Sequence, residues 1–127
     1  MLKNVDAVER RSPEIIATYR SRLTEKVKEL LGETQIEESR IATEVILYAD
    51  KICTDEETVR LRSHIESMRE ALQSGGSIGR KLDFIAQEMN REANTILSKA
   101  NDLETSNLAI DLKTEIEKVR EQIQNIE

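Results

Sequence analysis

The 127-residue chain has no tryptophan, one phenylalanine, two tyrosines, one proline, one cysteine, one histidine and four glycines. Each scarcity excludes something. With Tyr19, Tyr48 and Phe84 as the only aromatics, a core must be aliphatic, built from Leu, Ile, Val, Ala and Met. Pro13 and the glycines Gly32, Gly75, Gly76 and Gly79 are the only strong helix breakers. The single Cys53 excludes an internal disulfide and fits a reducing compartment. Beside a helix start it reads as a small packing residue rather than a nucleophile. Apolar runs never exceed a few residues, so neither a secretory signal nor a membrane span is expected. No membrane partner is expected either, and the expected location is the cytoplasm. Zinc spacings, a P-loop, a nucleophile elbow and a glycine-rich phosphate cradle are all missing.

What is present is charge and aliphatic side chains. Charged residues make up 35% and hydrophobic ones 38%, which is polar but not the composition of a disordered chain. The net charge of −6 weighs against nucleic acid, whose binding depends on neutralising phosphates. The charge is uneven, however: residues 1–28 carry seven bases and four acids, a balance of +3, leaving −9 for the rest.

Apolar residues recur at helical spacing throughout, and no strand pattern competes. Ser12-Pro13 reads as a helix cap and first helical residue, followed by Ile16, Tyr19, Leu23, Val27 and Leu30 up to a stop at Gly32. The preceding "MLKNVDAVERR" reads as a solvated lead-in. A second helix from about Ile36 places Ile41, Val45, Tyr48 and Ile52 on one face. Thr-Asp-Glu-Glu from Thr54 matches a capping box, with Glu57 reaching back to the cap amide. The third helix turns Leu61, Ile65, Met68 and Leu72 inward and ends in "QSGGS". A fourth runs from near Ser77 to Ala100, and "NDLETS" turns into a fifth. That fifth helix carries Ala109, Leu112, Ile116, Val119, Ile123 and Ile126, a narrow coiled-coil-like seam that calls for cover by a partner. The expected fold is all-α: an extended antiparallel helical bundle of about five helices with a coiled-coil-like C-terminal helix. Residues 1–35 form a lead-in helix and 36–127 a C-terminal helical domain.

The fourth helix carries the most information. At 100° per residue, Ile78, Leu82, Ile85, Ala86, Met89, Ala93, Ile96, Leu97 and Ala100 form one apolar face. Arg80, Asp83, Gln87, Asn90, Arg91, Asn94, Ser98 and Asn101 form a second, and Lys81, Glu88, Glu92 and Lys99 a third. Amides and guanidinium forks make directional hydrogen bonds that mere solubility does not require. Phe84 lies between the polar faces, away from the core. One reading is an interhelical polar network that fixes register, including Arg60, Gln87, Asn90, Asn94 and Glu117. The other is a phosphate and metal site, with Arg80, Lys81 and Arg91 for phosphate and Glu88 and Glu92 for a divalent cation. Two further groupings accompany it. Glu57, Arg60 and the sole histidine, His64, share one face of the third helix, and His64 is a structural side chain or a general base. Lys113, Glu117, Arg120 and Glu121 cluster on the fifth, where Lys113–Glu117 and Glu117–Arg120 are spaced as ion pairs.

The stretches "EETVRLRSHIE", "GRKLDFIAQEMNREANTILSKAND" and "LKTEIEKVREQIQNIE" closely resemble the C-terminal region of the YicC family. "RRSPEIIATYRSRL" resembles that family's helical lead-in. The resemblance implies a metal-assisted bacterial endoribonuclease, also described as stress-induced, with RNA as its partner and no small-molecule cofactor. It implies a divalent metal, Mn²⁺ or Mg²⁺, and a symmetric homo-oligomer, with a hexamer the expected size. It also implies an N-terminal domain with β-structure, which is absent from this chain. Arg60, His64, Arg80, Lys81, Asp83, Gln87, Glu88, Asn90, Arg91, Glu92, Asn94 and Lys99 fall on family motif positions, as do Lys113, Glu117, Arg120, Glu121 and Gln122.

RNA cleavage needs a base for the attacking hydroxyl, a partner for the phosphorane charge and help for the leaving oxygen. The expectation gives phosphate contact to Arg80, Lys81, Arg91, Lys99, Lys113 and Arg120. Metal coordination or base work falls to Glu88 and Glu92, joined by Glu57 or Glu121, with His64 as the alternative base. The rival expectation is a non-catalytic oligomerisation or RNA-docking module, with the chemistry in the missing N-terminal domain.

Overall fold

A computed structural model describes residues 1–31, 38–76 and 78–126. They form α1 (Leu2–Leu31), α2 (Glu38–Ile52), α3 (Asp55–Ser74), α4 (Gly79–Lys99) and α5 (Leu103–Ile126). No strand occurs among the described residues, so the fold is all-α. The expected stop at Gly32, the start at Ile36 and residue Ser77 lie outside them. The chain divides into two compact units, Met1–Glu9 with Thr54–Glu127, and Arg10–Cys53.

In the first unit α4 packs against both α3 and α5. Its inward row, Leu82, Ile85, Ala86, Met89, Ala93 and Ile96, is buried as the spacing predicts. The α5 seam is buried with it: Ala109, Leu112, Ile116 and Ile123 all belong to the same core. This corrects the expectation that the seam awaits a partner, because α4 already covers it. On α3, Leu61 and Met68 point inward, but Leu72 is 53% exposed and Ala71 takes its place. The small side chain faces the core at the last turn, while leucine is left outside.

The N-terminal stretch is another correction. Val5 and Val8 are fully buried in the core of this unit rather than part of a solvated lead-in. Helix α1 starts at Leu2, so Ser12-Pro13 is not a helix start and Pro13 lies inside α1. Its ring leaves the Glu9 carbonyl without the usual donor four residues on. Met1, Val5 and Val8 are spaced four and three apart, a short helical stripe that the Ser-Pro signal outweighs in the sequence. Arg62 of α3 locks this turn in place: it donates to Glu9 at 2.8 and 3.0 Å and to Asp6.

The ends of the helices are simple. Thr54 precedes α3 but makes no side-chain cap bond, so the expected capping box does not form. Glu57 is drawn elsewhere, as described below. Gly75 and Gly76 have φ of 69° and 80°, a region closed to most side chains, which explains the glycine pair after α3. Asp102 caps α5 by accepting from the Thr105 amide at 3.0 Å.

The second unit holds the remainder of α1 with α2. Its two tyrosines stack, the Tyr19 and Tyr48 rings 3.8 Å apart and 11° from parallel. Leu23, Val27 and Ile41 line a small cleft with Arg40, Thr43 and Glu44.

Two outcomes are expected. Val5→Ala or Val8→Ala should each destabilise the protein by about 2 kcal/mol in urea unfolding, from lost burial and a residual cavity. Val59→Ala, at a site 64% exposed, should stay within about 0.5 kcal/mol. The second outcome depends on pH. The Arg62 hydrogen bond is the main reason that the Glu9 carboxyl sits below its ordinary value of 4.5, outweighing partial desolvation. A carboxyl lowered by folding adds stability above its unfolded pKa and loses it as pH falls through the folded one. The urea-midpoint gap between the parent and Arg62→Met should therefore be present at neutral pH and close progressively below about 4.5.

Candidate functional site

Helix α4 exposes the side opposite its core row. Arg80, Lys81, Phe84, Gln87, Arg91, Asn94 and Ser98 all face solvent there. Gln87, Asn90, Arg91, Asn94, Thr95 and Ser98 line an open depression along the helix. The Thr95 hydroxyl is committed to its own helix, donating to the Arg91 carbonyl at 3.1 Å. Arg91 meets Glu88 at 3.7 Å and is 74% exposed, so its guanidinium remains accessible. Among the described residues, Arg80 and Lys81 form no ion pair, and Asn90 and Asn94 form no side-chain hydrogen bond. The face therefore presents donors with unfilled capacity.

Where α5 meets this face, Arg120 donates through Nε to Asp83 Oδ1 at 3.4 Å and lies 3.9 Å from Glu117. Gln87 donates to the other Asp83 oxygen at 3.1 Å. Arg120 is thus engaged in joining α5 to α4. The expected Lys113–Glu117 ion pair is not formed; Lys113 is half-buried on α5.

A second cluster joins α3 to α4. Glu92 is only 6% exposed and Glu57 only 3%. Arg60 Nε donates to Glu92 Oε1 at 2.8 Å, and Lys99 Nζ donates to Glu57 Oε1 at 2.7 Å. Arg60 also reaches Glu56 at 3.4 Å and Glu57 at 3.8 Å. Its hydrogen bond with Glu92 raises the Arg60 pKa, which keeps the guanidinium charged. The second oxygen of Glu57 is buried without a hydrogen-bond partner.

The expected residues therefore separate into two groups. Glu92 is not a surface partner of Glu88: it tucks into the α3–α4 contact while Glu88 stays half-exposed. Of the expected polar network, Arg60 belongs to the cluster with Glu92, Gln87 and Glu117 belong to the one around Asp83 and Arg120, and Asn90 and Asn94 join neither. His64 is half-buried on α3, four residues after Arg60, and no hydrogen bond or ion pair among the described residues joins it to either. Glu121 is exposed on α5. Asp83 and Arg120 each stand on a motif position, but nothing in the sequence pairs them, and they meet only through the fold. Thr95 is not singled out in the sequence at all, and could be placed only by helical projection from Arg91.

A divalent cation needs several oxygens converging on one point. Of the four acids expected to supply them, Glu57 and Glu92 each hold a cationic side chain. Among the described residues no group of three or more His, Cys, Asp or Glu side chains is gathered to hold a metal ion. The four acids do not fit a cation within one copy of the chain.

The order of helices and the stretches on α3, α4 and α5 place the chain in a known class. It matches the family described as endoribonuclease YicC-like, C-terminal, over residues 8–127, and it belongs to that family. It is 47% identical over 129 residues to a protein of Clostridioides difficile named probable endoribonuclease YicC, covering 100% of this chain and 44% of that relative. A Haemophilus influenzae protein of the same name is 38% identical over 122 residues, covering 96% of this chain and 42% of the relative. The chain thus spans less than half the length of these relatives. Among the described residues, no helix is long and apolar enough to cross a membrane.

The ion cluster yields its own expectation. Arg60→Met leaves the Glu92 carboxylate buried without its cation and should lower the urea midpoint. The paired change Arg60→Met/Glu92→Met removes both charges and should recover most of that loss, because uncompensated charge costs more than an absent pair.

Proposed function

We propose that this chain is the RNA-contacting helical part of an endoribonuclease, and that RNA lies along the exposed face of α4. The observation that carries the reading is the row of donors on that face: Arg80, Lys81 and Arg91 with the amides Asn90 and Asn94, beside Gln87, whose amide also donates to Asp83. Guanidinium and ammonium groups contact phosphate oxygens, and amides bond to sugar or base edges. The names of the two relatives and the family membership support RNA as the substrate. A single cysteine and an RNA substrate suit the cytoplasm.

Sorting the acids by burial narrows the choice of base. Glu57 and Glu92 are occupied by Lys99 and Arg60, whereas Glu88 lies beside Arg91 on the open side of the helix. In this reading Glu88 accepts the proton of the attacking hydroxyl and Arg91 balances the charge that grows on the phosphorane. Lys99 holds Glu57 and positions the end of α4. The second reading, a docking module whose longer parent holds the chemistry elsewhere, is favoured by the chain spanning under half of its relatives.

Substitutions in the intact protein separate the two. Arg91→Ala should weaken RNA binding and lower the slope of log affinity against log salt by about one, as expected for one lost phosphate contact. Glu88→Gln should leave binding intact and reduce cleavage roughly 10²- to 10⁴-fold, the usual worth of a positioned base. Normal cleavage by Glu88→Gln would leave the docking module as the correct reading. Repeating the cleavage assay across a manganese titration tests the expected cation separately: a rate that does not change from chelator to saturation removes it.

A further inference from the structure

Phe84 stands at the centre of the polar face rather than at its edge. On a helix with 100° per residue, Arg91, Arg80, Glu88 and Gln87 lie within about 60° of it. It is 62% exposed. The other two aromatics of the chain are stacked on each other, so this is the only ring that stands free. No other large apolar side chain of α4 is exposed, and the ring is surrounded by charges and amides rather than by an apolar patch. A subunit contact of ordinary stability has an apolar centre and a polar rim. Here a single ring is surrounded by basic and amide groups with open donors, which is the composition of a surface that grips a nucleotide strand.

We infer that Phe84 is a stacking platform for an unpaired base, so that the RNA held on α4 is single-stranded at this point. The inference rests on the RNA reading above and adds the strand state of the substrate. In single-strand sites, basic groups follow the backbone while aromatic rings take the faces of successive bases, with little dependence on sequence. Arg80 and Lys81 precede Phe84 by one turn, and Arg91 follows about 10 Å along the axis at 1.5 Å per residue. A strand running along the helix would meet phosphate contacts on both sides of the ring. Paired bases keep their faces inside the stack, and the A-form duplex offers the ring only sugar and phosphate.

The test uses the intact protein and cleavage-resistant 2′-O-methyl oligouridylate labelled with fluorescein, the same strand with one abasic position, and a 2′-O-methyl duplex. Phe84→Ala should weaken single-strand binding on the order of 10- to 100-fold and leave duplex binding unchanged. Phe84→Trp should retain affinity, and its indole fluorescence should be quenched by the intact strand. In the parent protein the abasic strand should bind more weakly, and Phe84→Ala should erase that difference. If Phe84→Ala binds the single strand as well as the parent while Arg91→Ala binds it less well, the stacking platform is wrong and the RNA reading stands. If neither substitution changes binding, the RNA reading fails and this inference with it. If Phe84→Ala instead shifts the protein to a smaller species in sedimentation, the ring is a contact between subunits and the inference is overturned.

Discussion

Helix α4 has to serve two opposite demands, and the buried carboxylates Glu57 and Glu92 decide how it meets them. It supplies the central apolar row of the larger unit, packed on both α3 and α5. A helix packed on two sides keeps only a narrow arc for solvent. Glu92 lies at the border of that arc and is turned inward to Arg60, while Lys99 reaches across to Glu57. Each pair joins α3 to α4 through directional bonds, so sliding one helix by a turn would strand a charge in the interior. Side chains as interchangeable as Leu, Ala and Met do not fix register by themselves. The ion pairs supply that specificity, and the orientation of the open face of α4 follows from it.

The same pairs divide the acids into two kinds. The four carboxylates expected to hold a metal or act as base, Glu57, Glu88, Glu92 and Glu121, look alike in the sequence. In the fold, two are committed to holding helices, one is exposed on α5 and one stands half-open beside Arg91. The commitment of Glu57 also explains why the Thr-Asp-Glu-Glu cap does not close. The Lys99 ammonium competes with the peptide N–H for this carboxylate because it adds the attraction of a full opposite charge to the hydrogen bond.

Much of this was legible in the residues, and the limits were physical. The periodicity located α3, α4 and α5, and projection placed both the buried row and the exposed row of α4, including Phe84. Short-range signals misled where long-range packing overrode them. Ser12-Pro13 carries the marks of a helix start, yet burial of Val5 and Val8 sustains the helix through it. The α5 seam looked too narrow to be enclosed, but α4 packs against α5 and buries Ala109, Leu112, Ile116 and Ile123 in the common core. Contacts such as Arg62 with Glu9, Arg120 with Asp83 and Arg60 with Glu92 join residues 53, 37 and 32 positions apart, and no local pattern encodes them. Burial of Glu92 was equally hidden, since its place at the border of two faces is consistent with either side.

The acidic balance of the chain remains to be reconciled with a polyanionic partner. A net charge of −6 is a property of the whole chain, but the potential that a phosphate feels is local, because salt screens exposed charges beyond about 8–10 Å. Around α4 the acids are neutralised where they stand: Asp83 by Arg120, Glu92 by Arg60 and Glu57 by Lys99. What remains toward solvent is Arg80 and Lys81, with Arg91 loosely held by Glu88 at 3.7 Å. The internal ion pairs that set helix register therefore also remove negative charge from beside the binding face. A surface can attract phosphate on an acidic protein when its own acids are already spent inward, and α4 is arranged in that way.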